Sequence, residues 1–309
     1  MAISHSRRVL IKLIAAGAAV LGLAGCTTAA EPSQITPLRI STAAGTFDAV
    51  AAGPLDGRKV LLLHGFPELG IEWEHQLRAL AAAGYRAVAP DQRGYSPGVR
   101  PTGVENYRLD HAVGDVVAMA DSLGWKQFDL VGHDWGAAVS WVAAARHPDR
   151  IRTLTAVSVP HLGAFAEALR SDPAQKEASK YMDMFRQPSP VPEDKILASG
   201  PPKLPGVSPE RSAEYFQRLS QPGALTAALN WYRANDFRGY EQRVAVPTLF
   251  IASTKDAMVA PSGVQATKNW VTGPYRLENL EGIGHNIPEE APAVTNSHLL
   301  AHLASVPAR

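Results

Sequence analysis

The chain has 309 residues, 46% of them hydrophobic and 19% charged, which supports one large globular domain with room for an inserted lid. Its 30 basic and 29 acidic residues give a formal net charge of +1, and without Arg7, Arg8 and Lys12 in the acid-free first 25 residues the remainder carries −2. That balance gives no reason to expect nucleic acid as a partner, and the lone cysteine, Cys26, excludes an intrachain disulfide framework.

At the N-terminus, Ser6-Arg7-Arg8-Val9-Leu10-Ile11-Lys12 precedes an apolar run over residues 13–24. That run is about half of the ~20 residues a membrane-spanning helix needs, so it fits a signal peptide better than a permanent anchor. Leu23-Ala24-Gly25-Cys26 follows. The arginine pair resembles a twin-arginine export signal, with Leu10 where phenylalanine is usual, and residues 23–26 resemble a bacterial lipobox. These resemblances imply a signal peptide over 1–25 and a lipid on Cys26. They also imply a protein exported and anchored to a bacterial cell envelope, with the membrane as partner through that lipid. The bland alternative is an inert cysteine at an ordinary cleavage site. Residues 26–37, small, polar and Pro-containing, read as a tether.

Residues 47–52 read as an early strand, closed by Gly53-Pro54 and Asp56-Gly57. Lys59-Val60-Leu61-Leu62-Leu63 is a continuous apolar run, expected of a strand covered on both faces. It leads into His64-Gly65-Phe66-Pro67-Glu68, with Trp73 close behind as a candidate pocket-lining residue, a core role being the alternative. Residues 85–89 form the next strand. Asp91 and Arg93 in the turn after it read as a structural pair rather than as catalysts. Val113, Val116, Val117 and Ala120 mark one face of an amphipathic helix over 110–123. Strand, helix, strand, helix argues for a largely parallel sheet.

Phe128-Asp129-Leu130-Val131-Gly132-His133-Asp134-Trp135-Gly136 comes next. A strand ends at a glycine, and an Ala-rich helix runs over residues 135–147. Glycines flanking Asp134 suit a sharp turn that holds one side chain out at its tip. The N–H of Trp135, opening a helix, can face a developing anion. The bland reading is an aspartate capping the helix.

This stretch resembles the nucleophile elbow of the α/β-hydrolase fold, with aspartate where esterases carry serine. A carboxylate attacking a saturated carbon leaves an ester, which water can cleave, whereas serine would leave an ether. Asp134 therefore points to displacement at an alkyl carbon. His64-Gly65-Phe66-Pro67 resembles the oxyanion loop of that fold, which implies the Phe66 N–H as a donor beside that of Trp135. The alternative is a tight turn with a buried His64. The implied fold class is α/β: a mostly parallel sheet with helices on both faces and an inserted helical cap.

A buried strand is expected over residues 151–159. From 161 to 240 no strong strand occurs, and the stretch reads as a helical cap over the ends of the strands, where ligands of such folds bind. The core then comprises residues 38–160 and 241–309. Within the cap, residues 224–234 form a helix containing Asn230-Trp231-Tyr232-Arg233, which resembles the second cap tyrosine of epoxide hydrolases. Two such phenols hydrogen-bond an epoxide oxygen and supply a proton as the ring opens. The same resemblance places Met184 where the first tyrosine is expected. Tyr181 lies three residues earlier, nearly one helical turn, and is taken as that tyrosine; Tyr215 is a further candidate.

After a late strand over 247–253, Asp256 falls in a loop, and a strand over 275–280 leads to Glu281-Gly282-Ile283-Gly284-His285. The order nucleophile, acid, histidine is that of α/β-hydrolases. Some relatives place the acid after the strand preceding the cap, where this chain has Ser158-Val159-Pro160-His161 and no carboxylate. Asp256 is thus the expected partner of the base His285. No metal-ligand spacing, P-loop or dinucleotide fingerprint occurs, so no cofactor or metal is expected.

Residues 40–305 together resemble the epoxide-hydrolase branch, implying a small apolar epoxide substrate and a vicinal diol product. A haloalkane dehalogenase is the nearest alternative; it shares the nucleophile, and Trp135 suits halide, but Phe66 stands where a polar halide donor is usual. A lipid-anchored ligand-binding protein without turnover is the alternative of another class.

Overall fold

The computed structural model describes residues 34–307; the expected signal peptide, Cys26 and most of the tether lie outside the described residues. In chain order these residues form β1 (Thr36–Thr42), β2 (Gly45–Ala52), β3 (Arg58–Leu63), α1 (Glu74–Ala82), β4 (Tyr85–Pro90), α2 (Leu109–Ser122), β5 (Phe128–His133), α3 (Trp135–Arg146) and β6 (Ile151–Val157). Six helices follow: α4 (Leu162–Ser171), α5 (Pro173–Ala178), α6 (Tyr181–Phe185), α7 (Val191–Ser199), α8 (Pro209–Leu219) and α9 (Ala224–Ala234). The chain returns to the sheet with β7 (Thr248–Ser253), α10 (Pro261–Ala266), β8 (Tyr275–Leu280), α11 (Ile287–Glu290) and α12 (Pro292–Ser305). β1 starts at Thr36, so the last two positions of the expected tether belong to the sheet.

The eight strands make one sheet in the order β1-β2-β4-β3-β5-β6-β7-β8. β1 and β2, and β2 and β4, pair antiparallel; every later pair is parallel. The physical cause is legible in β3. Successive side chains of a strand point to opposite faces. Val60 and Leu62 pack in one buried cluster with Leu77, Leu80, Leu299 and Leu303, from α1 and α12. Leu61 and Leu63 join the other, with Val116, Met119, Val139 and Trp141 from α2 and α3. Both faces are thus covered by helices, and an unbroken apolar run is what such a strand requires. Each fully buried side chain of this kind contributes roughly 1.5–3 kcal/mol.

Asp129 interrupts the apolar pattern of β5 and is fully buried. Arg58 donates to both of its carboxylate oxygens at 2.6 and 2.7 Å, and the Thr153 hydroxyl donates at 2.8 Å. Its role is to pin β3, β5 and β6 together at the end remote from Asp134.

Residues 161–240 of the sequence expectation contain α4–α9 and no strand. The Pro-rich stretch 188–209 includes one helix, α7. These helices lie against the core through specific polar contacts. Trp231 Nε1 donates to the Arg93 carbonyl at 3.0 Å, and Arg218 donates to Asp91 at 2.9 Å. Asn235, just after α9, accepts from the Leu109 N–H and donates to the Tyr107 carbonyl, both at 3.0 Å. Asp91 and Arg93 are structural, as expected, but not a pair. Arg93 binds Asp115 at 2.6 Å, while Asp91 takes the Gly70 N–H and Arg218. Two turn residues of opposite charge face different ways when each finds its own buried partner. Among the described residues no helix is long and apolar enough to cross a membrane.

Candidate active site

The site is built on the junction between β5 and α3. All six residues of β5 are buried, and α3 begins one residue after it ends. Only Asp134 separates them, with φ 49° and ψ −118°, a left-handed conformation rarely adopted by a residue with a Cβ. Its carboxylate makes no capping bond to the helix, so the helix-capping reading is not what the structure shows. The flanking glycines act by allowing close approach. A Cβ on Gly132 would lie 2.2 Å from the Gly136 carbonyl oxygen, and one on Gly136 would lie 2.1 Å from that of Leu63. The helix can therefore start directly against β3 and β5, and the turn has no slack.

β3 ends beside the same point. The N–H of Phe66 donates to Asp134 Oδ1 at 2.9 Å. Gly65 runs so close to Asp134 that a Cβ there would lie 2.5 Å from that of Asp134. His64 is buried and structural: its Nδ1–H donates to the Gly65 carbonyl at 2.8 Å, and Nε2 accepts from the Gln92 N–H at 2.9 Å. Burial lowers its pKa to about 4, so it stays neutral. The N–H of Trp135, in the first turn of α3, has no intrahelical acceptor, and it makes no hydrogen bond to Asp134 here.

The two late loops deliver the remaining groups. Asp256, after β7, accepts from Nδ1 of His285 at 2.7 Å, and its other oxygen takes the Met258 N–H at 2.7 Å. His285, after β8, turns Nε2 toward Asp134 Oδ2 at 3.4 Å. The main-chain carbonyl of His285 is held from two sides, by the Ser158 hydroxyl at 2.6 Å and by His133 Nε2 at 2.9 Å. Burial alone would lower the His285 pKa, yet Asp256 and Asp134 raise it well above the ordinary value. Burial alone would raise Asp134, but hydrogen bonding and charge from His285 take it below the carboxylate norm. Both directions have one cause, the placing of the His285 ring between two carboxylates, which favours its charged form.

Tyr181 of α6 and Tyr232 of α9 line the same small cavity as Asp134, Trp135 and His285, with Phe165 and Phe237 completing an apolar wall. The two phenol rings lie 6.2 Å apart, nearly perpendicular. Burial, reinforced by the nearby Asp134 charge, pushes both phenols up, so they remain proton donors at neutral pH. Tyr215 is buried elsewhere and donates to Glu289 at 3.0 Å. Met184 does not line the cavity. The space beside Asp134 is about 30 Å³, room for water but not for a substrate. Phe66 and Phe185 line a larger apolar groove of about 440 Å³ and pack on Tyr232 at 5.6 and 4.9 Å.

Trp73 is a correction to the sequence reading. It is fully buried in the cluster of α1 and α12, with Leu62 and Leu77, and does not line the cavity. The residue lies past the bend that follows residues 64–67, where a short 3-10 turn carries it beneath the sheet. Trp135 does line the cavity, with its ring 5.0 Å from that of Tyr232 and stacked on Phe237 at 5.6 Å. Sequence reasoning missed Glu68, Glu72 and His133, whose ligand-type atoms lie within 4.8 Å of one another. Nothing in their spacing joins residues 68 and 72 to 133; the sheet does that.

Comparison with known proteins agrees with this architecture. The alpha/beta hydrolase fold family matches residues 59–292. An AB hydrolase superfamily protein, YfhM of Bacillus subtilis, is 32% identical, with 85% of this chain and 96% of the relative covered. Epoxide hydrolase A of Mycobacterium tuberculosis is 33% identical, with 84% and 94% covered. Among solved structures, an epoxide hydrolase from hot-environment metagenomes superposes with a TM-score of 0.79 at 29% identity, covering 87% of this chain and 98% of its own. The crystal structure of epoxide hydrolase A from Mycobacterium thermoresistibile gives a TM-score of 0.71 at 28% identity, with 89% and 100% covered.

Proposed function

The chain belongs to the alpha/beta hydrolase fold family, and on that premise we propose that it opens small apolar epoxides to vicinal diols through an ester on Asp134. The observation that carries this reading is how the Asp134 carboxylate is shared. Oδ1 is held by the Phe66 N–H, while Oδ2 lies 3.4 Å from His285 Nε2, and Asp134 lines one cavity with His285, Tyr181 and Tyr232.

In the first step Oδ2 attacks an epoxide carbon and the carbon–oxygen bond of the ring breaks. The released oxygen takes a proton from Tyr232 or Tyr181, leaving a phenolate. Ester formation removes the Asp134 charge, one of the causes holding the His285 proton. The imidazolium then returns that proton to the phenolate and becomes a neutral base. In the second step His285 Nε2 takes a proton from water, and the hydroxide attacks Cγ of Asp134. The Phe66 N–H, joined by that of Trp135, holds the oxyanion on Oδ1. The carbon–oxygen bond to Oδ2 breaks and His285 gives the proton it took to the leaving alkoxide, completing the diol; the new acid on Asp134, which holds one oxygen from water, then returns its proton to His285 and is again a carboxylate. No metal or cofactor enters this scheme.

Matched apolar epoxides and chloroalkanes, turned over in water enriched in the heavy oxygen isotope, test the reading. Diol should form without halide, and in a single turnover the label should enter the side chain at position 134. Halide release without diol would make the protein a dehalogenase. Tight binding unchanged by Asp134→Ala, with no product, would make it a binding protein. We propose further that Cys26 carries a lipid that holds the enzyme at the envelope. Its support is the placing of the only cysteine after an arginine pair and an apolar run. Labelling with an alkyne fatty acid should tag the protein and fail in Cys26→Ser.

A further inference from the structure

Next to Asp134 lie three buried side chains that the scheme above does not use. Glu68 and Glu72, from the segment between β3 and α1, and His133, the last residue of β5, are each 1% exposed. In each of them one polar atom is held by a hydrogen bond and the other is not. Glu68 Oε1 accepts from Asn286 Nδ2 at 3.1 Å, Glu72 Oε2 accepts the Gly65 N–H at 3.2 Å, and His133 Nε2 donates to the His285 carbonyl at 2.9 Å. The atoms left over are Glu68 Oε2, Glu72 Oε1 and His133 Nδ1, all buried and without a hydrogen-bond partner. Nδ1 and Glu72 Oε1 are 2.9 Å apart, but the oxygen lies off the axis of the ring nitrogen, so no proton bridges them.

Buried carboxylates are paired or hold a metal, yet among the described residues neither glutamate pairs with a lysine or arginine. One cation of charge two would balance both. The distances suit it. Two donors about 2.1 Å from one ion are roughly 2.9 Å apart when they subtend a right angle, and an ion on the ring axis leaves the second donor about 45° off that axis. This accounts for an approach that is close and yet not a hydrogen bond. The three donors lie within 4.8 Å of one another, and small rotations of the glutamates bring them inside the ~4.2 Å that one ion spans. The outer bonds have the matching form. A histidine on a metal donates its other N–H to a carbonyl, and a carboxylate on a metal has its second oxygen hydrogen-bonded; all three side chains do this. A lone water has two protons for three acceptors. A water bridging both carboxylates to an imidazolium would leave a negative charge unbalanced, and would put a cation 5.2 Å from the ring of His285, whose own carboxylates favour its charged form.

We propose that Glu68 Oε2, Glu72 Oε1 and His133 Nδ1 bind one first-row divalent metal ion, of the zinc or manganese class, as a structural clamp. Carboxylate and imidazole donors without thiolate suit those ions. The ion ties the segment after β3 to the end of β5. Through Asn286 and the His285 carbonyl it also reaches the loop after β8. These three segments are the ones that meet at Asp134. The ion takes no part in the chemistry proposed above, and the site does not depend on that chemistry. The pairing of β3 with β5 brings residues 68 and 72 to residue 133, so the spacing in sequence carries no sign of it. Because the donors are sealed from solvent, the ion enters as the chain folds and leaves slowly.

The test is the metal content of the whole protein, followed by refolding. Purified without chelator from medium holding zinc and manganese, the wild type should carry about one equivalent by elemental mass spectrometry and keep it through dialysis against EDTA. Glu68→Gln and Glu72→Gln should each carry less than about a tenth of that. Wild type refolded with EDTA should melt roughly 5 °C or more below wild type refolded with zinc at a hundredfold excess over Kd. Refolding with cobalt should give visible absorption bands that Glu72→Gln lacks. The proposal is overturned by a wild type that carries no metal and melts at one temperature whether refolded with EDTA, zinc or manganese. It is overturned equally by the same metal content in the wild type and both variants, which would place the ion at a surface histidine. Should neither variant fold, the metal content and the refolding comparison on the wild type still decide.

Discussion

His285→Gln is expected to stop the enzyme halfway through its cycle. Alkylation needs the Asp134 carboxylate and a phenol proton, both of which survive the substitution. Hydrolysis of the ester needs a base at 3.4 Å from Asp134 Oδ2, and glutamine is not one. Turnover should fall by roughly 10² to 10⁴, the usual worth of general base catalysis. The peptide containing residue 134 should gain the mass of one epoxide, as intact-protein and peptide mass spectrometry would read. Wild-type turnover, or a mass gain on another residue, would remove the covalent scheme. The pH dependence follows from the raised His285 pKa. In the resting enzyme two carboxylates hold its proton; in the ester only Asp256 does. The rate of hydrolysis should therefore rise with pH through a value lower than that of the resting imidazole. Linkage has the opposite sense for stability. A histidine whose folded pKa is raised stabilises the fold fully below its unfolded value, and that contribution disappears as pH climbs through the folded one. Thermal melts of the free enzyme should weaken on the alkaline side for this reason.

Replacing both cap tyrosines with phenylalanine is expected to abolish ring opening while leaving the site packed. Tyr232 touches Phe66, Trp135 and Phe185, at centroid distances of 5.6, 5.0 and 4.9 Å, and phenylalanine keeps each of these contacts. What is lost is the proton for the leaving oxygen. Each single change should cost about 10- to 100-fold in the alkylation rate, and both together about 10³-fold or more, because one phenol partly covers for the other. The loss should fall on kcat with little change in KM, and it is best measured in the His285→Gln background, where only the first step is seen. An unchanged alkylation rate in the double variant would place the proton donor elsewhere. A loss in Tyr232→Phe with none in Tyr181→Phe would leave one phenol responsible.

The choice of Tyr181 shows how far reading alone reaches. The motif position falls on Met184, and helical spacing favours Tyr181. In the structure α6 is a five-residue helix, and it turns Tyr181 toward Asp134 while Met184 does not line the cavity. Trp73 went the other way. Its nearness in sequence to residues 64–67 suggests the pocket, but the short turn that it closes carries it beneath the sheet. Three or four residues of chain can reverse the face on which a side chain lies, and an aromatic pattern carries no sign of that.

The parallel α/β sheet, and the loops that bring Phe66, Asp134, Asp256 and His285 to one point, were legible because each is written in local chemistry. Glycines permit close approach, apolar runs report burial on both faces, and the residue at the tip dictates what bond is made. The left-handed backbone of Asp134, the placing of the His285 ring between two carboxylates and the meeting of Glu68, Glu72 and His133 were decided by tertiary structure alone. They depend on strands distant in sequence meeting side by side, where burial strips water from charged groups and their mutual distances set which of them keeps a proton.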